Sequence, residues 1–379
     1  MAGTDGCRCV ALRKTEPAVL TKVRVHAVFF ACVGAASLLG ALFPAGVRAE
    51  RAPGQQERQP RFTERVDVAR ILVDARAVDE TGQPIPGLTA SDFRAKIRGR
   101  EARVESATWV DGTPARAAAA GAVELPWAAP EPPGRLIVFM FQKDFEPSRM
   151  VGLMRMLIDT EKLLERFGPE DYLAVLSFDS HLKVWLDFTT DHEKVRQVLA
   201  RGILFEKPKA VEPAGYPSLS RQLTQARARR AYTVEESLLL LGDALKGLPG
   251  AKSVVLVGHG FGFLAGSSII FDRDYGPARY ALQEARASVF CLDVTDADYH
   301  SLEAGLQMVA ADTGGFFART HIFPELALQR LVGALSGHYV LFIEVPDGLP
   351  EGFHEVELKL EGRRRGSVLA RRHIIGSRS

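Results

Sequence analysis

Apolar and polar positions along this chain change period from one stretch to the next. Leu136 to Phe141, LIVFMF, is an unbroken apolar run, the pattern of a strand buried on both faces. It passes through polar QKDFEPSR into helical spacing at Met150, Leu153, Met154, Leu157, Ile158 and Leu164, which predicts a helix over 148–167. Gly168-Pro169 ends it. The pattern then predicts a strand over 171–178, an antiparallel edge strand over 182–187, and a helix to Leu199 capped by Asp191. Residues 202–230 are rich in Pro and Arg and read as an insertion over the ligand end of the sheet. A helix from Thr233 to Lys246 follows, opened by a capping box with Glu236. Strands over 253–257, 289–294 and 315–318 then alternate with helices over 277–287, 299–312 and 324–335. Residues 135–336 are therefore expected to form an α/β domain with a mainly parallel sheet and helices on both faces. In such sheets ligands sit at loops after the carboxyl ends of the strands.

The two ends of the chain read differently. Residues 66–78 alternate as a half-exposed strand, and short strands are expected over 93–97 and 102–110 with Arg98-Gly99 turning between them. These define an N-terminal β module over 63–111, followed by an Ala/Pro-rich linker over 112–134. Residues 337–379 contain three further β-rich segments, 339–345, 352–360 and 367–374. Each piece is too small to bury a core alone, so the two ends are expected to pair into one β-rich module.

Residues 1–49 stand apart. Arg13, Lys14, Lys22 and Arg24 precede an uncharged run from Val25 to Val47 that closes on Val47-Arg48-Ala49, a small-x-small step. This reads as an export signal, with an uncleaved anchor as the alternative, because about 20 apolar residues suffice to span a bilayer. Gly34, Gly40, Pro44 and Gly46 interrupt the run and favour the signal. Residues 50–62 read as a flexible mature terminus. The expected location is thus exported: periplasmic, secreted or envelope-associated. A membrane contact is expected only if the leader stays attached.

Residues 1–49 hold six of the 48 basic and two of the 46 acidic residues, which leaves 42 against 44 beyond them. That near-neutral balance gives a nucleic-acid partner no electrostatic support. Three of the four cysteines lie in the leader, so Cys291 is left alone and no internal disulfide is available. Set in the apolar run Val289-Phe290-Cys291-Leu292, it reads as a small core residue.

The strand at 136–141, Ala174 to Phe178, the Asp187-Phe188-Thr189-Thr190-Asp191 step and Ser253 to Gly260 together resemble the von Willebrand factor A domain. Asp79 to Phe93 and the strands from Tyr339 onward extend the resemblance, over roughly 66–375, to the secreted VWFA-related, acidobacterial-type proteins. The resemblance implies a Rossmann-like fold, a protein-binding role and a divalent cation held through Asp-x-Ser-x-Ser, a Thr and an Asp. Here the first motif falls on Gln142, Asp144 and Glu146, and the last reads Gly258-His259-Gly260. Thr233 is the nearest candidate for the Thr. Two readings follow: a degenerate site that binds no ion, or an altered one in which Asp144, Glu146 and His259 favour Zn²⁺ or Mn²⁺ over Mg²⁺.

Gly258-His259-Gly260-Phe261-Gly262 superficially resembles a nucleophile elbow, but Phe261 stands near where the nucleophile would have to be, and no activated nucleophile can be inferred. His181, His192, His300, His321, His338 and His354 lack a ligand spacing such as H-E-x-x-H. No P-loop run occurs. Asp293, Asp296 and Asp298 follow a strand and read as a helix-capping loop in preference to a cation site. The expected function is a non-enzymatic interaction module with a protein partner and no cofactor. Phe261, Phe263 and Leu264, in the apolar loop 261–271, are the candidate partner face. The competing expectation is a metal-dependent hydrolase or sensor built on the altered cluster.

Overall fold

The computed structural model describes residues 70–112, 132–213, 215–266, 268–321, 323–346, 348–350, 352–362 and 366–376. The expected leader (1–49), the mature terminus (50–62) and most of the linker (113–131) lie outside them.

The described residues open with β1 (Arg70–Val78), β2 (Phe93–Ile97), β3 (Arg100–Ala102) and β4 (Val104–Asp111). Next come β5 (Leu136–Gln142), α1 (Pro147–Leu163), β6 (Tyr172–Phe178), β7 (Leu182–Thr189) and the short helices α2 (His192–Gln197), α3 (Ile203–Phe205) and α4 (Gln225–Ala228). After α5 (Val234–Leu245) lie β8 (Lys252–Gly258), the small pair β9 (Phe263–Ala265) and β10 (Ser268–Ile270), α6 (Tyr275–Glu284) and β11 (Ala287–Asp293). The chain ends with α7 (Glu303–Thr313), β12 (Phe317–Arg319), α8 (Pro324–Leu335), β13 (Gly337–Glu344), β14 (Gly352–Leu360), β15 (Ser367–Ala370) and β16 (His373–Gly376).

Six strands form one sheet in the order β12-β11-β8-β5-β6-β7, parallel throughout except for β7, which is antiparallel to β6. The apolar run in β5 has a direct cause. Leu136, Val138 and Met140 point into one core and Ile137, Phe139 and Phe141 into the other, so both phases of the strand need apolar side chains. Helices α5, α6 and α7 cover the first face, and α1 and α8 the second.

Helix α1 buries a different stripe from the one its sequence suggests. Leu153, Met156, Leu157, Thr160 and Leu163 face the core, whereas Met154 and Ile158 face solvent. Gly152 sets the rotation: a Cβ there would come within 1.9 Å of the Val294 carbonyl oxygen, so the helix seats on its glycine side.

The insertion at 202–230 starts and finishes beside the sheet's carboxyl end, at Lys143 and Leu182, and between them runs along edge strand β7. Its start is tied by Lys143, which donates to the Ile203 and Leu204 carbonyls at 3.2 Å. Its middle is held by the buried Asp187 carboxylate, which accepts from Ser218 Oγ at 2.6 Å and Leu219 N at 2.6 Å. Leu186, the neighbour of Asp187, lies opposite Val175, at the middle of β6. Leu219, Leu223, Ala228 and Ala231 are fully buried, so the insertion seals what would otherwise be an open strand edge.

The ends of the chain pair with each other. One four-stranded sheet runs β15-β1-β13-β4 and another β16-β14-β2-β3, and they share a core of Val73, Ala75, Phe93, Ile97, Tyr339, Leu341, Ile343 and Ile374. Tyr339 is the pin: its hydroxyl donates to the Ile85 carbonyl and accepts from Leu88 N, both at 2.8 Å. This holds the Gly87-Leu88 element, with Gly87 at φ +77°. Arg98 and Gly99, both at positive φ, make the expected tight turn between β2 and β3.

Candidate functional site

The chain passes from β5 to β6 on one side and later returns to β8 on the other, so the sheet's topological switch point lies between β5 and β8. Gln142 ends β5, Gly258-His259-Gly260 ends β8, and Asp293 ends the adjoining β11.

Gln142 does not face an open crevice. Its Oε1 accepts from the backbone N–H of His259 and of Gly260, each at 3.1 Å, while its Nε2 donates to the Gly260 carbonyl at 2.7 Å. An amide can accept and donate at once, and a carboxylate cannot. Gln142 therefore clasps the β5 end to the β8 loop, where the resemblance places a cation-binding Asp. Both neighbouring glycines are required sterically. A Cβ on Gly258 would meet Gln142 Oε1 at 2.5 Å, and one on Gly260, at φ +104°, would meet the Leu302 carbonyl oxygen at 2.1 Å. Gln142→Glu keeps the two acceptors but sets a buried carboxylate against the Gly260 carbonyl. It is expected to lower unfolding stability by about 2 kcal/mol, read by denaturant titration; no loss would show that the clasp contributes nothing.

Asp144, Glu146 and His259 gather around a side chain that sequence reading did not place in the site, Arg149. The guanidinium donates to Asp144 Oδ2 and lies 3.9 Å from Glu146 Oε2. Glu146 also accepts from Ser148 Oγ. His259 Nε2 stands 3.7 Å from Asp144 Oδ2. Partial burial acts to raise the Asp144 pKa, but the Arg149 hydrogen bond, the Glu146 N–H and His259 outweigh it and hold the carboxyl below its usual range. The positive charge that these acids require is thus supplied by the chain itself. His259 is buried, and desolvation, reinforced by Arg149, pushes its pKa down to about 4, so it is neutral at pH 7. Its Nδ1 is buried without a hydrogen-bond partner. Thr233, the candidate Thr, caps α5 by accepting from Glu236 N at 3.1 Å. Glu236 reaches back to Tyr232 N at 3.0 Å.

The three-aspartate loop separates into different roles. Asp293 is fully buried, Asp298 is exposed beside His321, and the Asp296 backbone N–H donates to the Ser148 carbonyl at 3.1 Å. Asp293 Oδ2 lies 2.8 Å from His300 Nε2, and Glu303 completes a cluster whose candidate ligand atoms all lie within 4.8 Å of one another. By sequence spacing alone, His300 falls among the scattered histidines. The available signal was the His300-x-x-Glu303 spacing, one helical turn, following Asp293 at a strand end.

Of the proposed partner face, Phe261 is a correction. It is buried, with its ring near Phe271 and Tyr275 and its backbone against Gly305, so it offers no contact surface. The loop beyond it forms the β9–β10 hairpin, where Phe263 (53%), Leu264 (59%) and Ile270 (45%) are exposed. Gly262, at φ +93°, makes the step from core to hairpin.

No protein-family profile matches the chain, and no curated protein sequence does. Similar solved structures include proximal thread matrix protein 1 from the mussel byssus, at 13% identity and a TM-score of 0.36 over 53% of this chain. The chain spans only 47% of that protein's length. A von Willebrand factor type A protein from Catenulispora acidiphila is similar at 10% identity and a TM-score of 0.39, over 77% of this chain and 75% of its own. BatB from Bacteroides thetaiotaomicron is similar at 12% identity and a TM-score of 0.33, over 52% of this chain and 97% of its own. At these scores the likenesses bear on neither the site nor the activity.

Proposed function

We propose that this chain is an exported, non-enzymatic interaction module with a von Willebrand factor A-like fold. In this reading its β9–β10 hairpin docks a protein partner without a divalent ion at Gln142, Asp144, Glu146 and His259. The observation that carries it is the apolar hairpin projecting from the β8 loop, with Phe263, Leu264 and Ile270 open to solvent. Aromatic and aliphatic side chains presented on a short, hydrogen-bonded hairpin suit a protein surface, because they bury area on docking and lose little conformational freedom.

Three further features support the reading. Counted in chain order, the central sheet runs 3-2-1-4-5-6, the doubly wound order. Arg149 and the Gln142 clasp take up the groups that a cation would otherwise engage. Cys291, the one cysteine among the described residues, is fully buried, and burial pushes its thiol pKa up, so it offers no thiolate nucleophile. Export rests on the leader pattern alone; among the described residues, no helix is long and apolar enough to cross a membrane.

Immobilised protein is expected to capture the same envelope-fraction partner in EDTA and in Mg²⁺. Phe263→Asp should lose at least tenfold in affinity for that partner, whereas Ile158→Asp, an exposed apolar site on α1, should not. Capture that needs Mg²⁺, or that survives Phe263→Asp, would refute the docking surface.

A further inference from the structure

We propose that Asp293, His300 and Glu303 form a binding site for a divalent transition-metal ion, best suited to Zn²⁺. This goes beyond the docking function and does not rest on it. Asp293 is the last residue of β11, Glu303 the first of α7, and His300 lies one helical turn ahead of Glu303, so a strand end and a helix start aim their ligands at one point. Asp293 and Glu303 are 0% and 2% exposed; Arg319 supplies the positive charge that Glu303 requires, while the Asp293 carboxylate is hydrogen-bonded, among the described residues, only to His300 Nε2 and a backbone N–H. One imidazole nitrogen with two carboxylate oxygens is the donor set that Zn²⁺ and Mn²⁺ accept and Mg²⁺ or Ca²⁺ bind poorly.

Two independent observations point to a missing ligand at this spot. Thr295, whose backbone N–H donates to Asp293 Oδ1 at 2.9 Å, is buried, yet its hydroxyl has no hydrogen-bond partner. On the next strand end, His259 also buries an unpartnered Nδ1. Asp293 lies opposite Gly258 in the β11–β8 register, which sets these two loops side by side. Three protein ligands would leave a position for the Thr295 hydroxyl or a water.

Arg319 is the resident competitor. Its guanidinium holds both Glu303 oxygens, at 2.9 and 2.7 Å, and Gln307 Nε2 also donates to Oε1 at 2.9 Å. The arginine side chain is 38% exposed and the glutamate 3%, so the positive group enters from the solvent side and can be displaced outward. Tetrahedral zinc, with ligand bonds of about 2.0–2.2 Å, sets its donor atoms roughly 3.3–3.6 Å apart, so Asp293 Oδ2 and His300 Nε2, now 2.8 Å apart, part slightly to admit the ion.

The test uses the full chain, stripped with chelator, its leader thiols capped by alkylation so that Cys7, Cys9 and Cys32 cannot bind metal. Calorimetric titration with Zn²⁺ is expected to show one ion per chain, and Co²⁺ loading to give visible absorption bands. His300→Ala should weaken Zn²⁺ binding at least tenfold and abolish the Co²⁺ bands. Arg319→Ala should tighten binding about tenfold, and Asp144→Ala, at the separate Arg149 cluster, should leave it unchanged. If His300→Ala fails to fold by circular dichroism, the gain in Arg319→Ala decides. Absence of saturable one-to-one binding in the wild type, unchanged affinity in folded His300→Ala, no gain in Arg319→Ala, or loss in Asp144→Ala each overturns the site.

Discussion

Asp74→Ala is expected to lower the unfolding free energy by about 3 kcal/mol, the lower end of the cost of taking the carboxylate from a largely buried ion pair. Asp74 sits where the β-rich module meets the α/β layers. Its carboxylate accepts from Arg286 Nε at 2.9 Å and Nη2 at 2.6 Å, and His338 Nε2 lies 3.5 Å away. Two further arginines lie close by, Arg76 buried and Arg371 half-buried. Arg76 donates to the Ala334 carbonyl at 2.8 Å and to Ser288 Oγ at 2.9 Å, and Arg371 donates to the Leu72 carbonyl. Burial pushes the Arg76 pKa down to about 10, while Asp74 works the other way. Without Asp74 this boundary keeps its positive charges and loses the carboxylate that balances them. Denaturant unfolding of wild type and variant checks the figure, and a loss under 1 kcal/mol would contradict it.

The same carboxylate gives a pH signature with a definite sign. Burial opposes it, but Arg286 and His338 hold the Asp74 pKa well below its unfolded value. Its contribution is thus fully present above the unfolded carboxylate range and is lost as pH falls through the folded pKa. Asp74→Ala should therefore be most damaging near neutrality and approach wild type in strong acid.

Acidification from pH 6.5 to pH 4 is expected to remove about 3 kcal/mol of stability through His259 alone. Its pKa falls from the ordinary 6.5 to about 4 in the folded chain, first through desolvation and then through Arg149. The unfolded chain therefore binds a proton at a pH where the folded chain resists it. Stability is complete above the unfolded pKa, declines across the window, and levels off below about 4. His338, also held neutral chiefly by burial, adds a loss of the same sign. His259→Gln removes only the first contribution, so the difference between wild-type and variant stability-against-pH curves isolates it. The measurement is made in EDTA to keep metal linkage out of the comparison. Parallel curves for wild type and His259→Gln would show that His259 titrates normally in the fold.

Most elements could be read from the chain because their causes are local. Pro324–Leu335 is an amphipathic helix with Pro at its first turn, and the structure places it at those same residues. The β5 run was legible because burial on both faces leaves no polar phase, and the antiparallel edge strand because a short polar turn at 179–181 separates it from β6. The face of α1 was not legible. Met154 and Ile158 are as apolar as Met156 and Leu157, and only the approach of Gly152 to the Val294 carbonyl decides which pair is covered.

The candidate site divides along the same line. By itself the sequence determined the strand–helix alternation, the loops that would meet at the sheet's carboxyl edge, and the absence of an Asp-x-Ser-x-Ser motif at Gln142, Asp144 and Glu146. These follow from residue type and near-neighbour spacing. Only the tertiary structure decided that Gln142 closes the switch point, that Arg149 supplies the charge beside Asp144, that Phe261 is core while Phe263 is surface, and that Asp293 meets His300 and Glu303. Each of those outcomes depends on the distance between groups on different elements. That distance is set by how sheets and helices pack, and a linear pattern does not carry it.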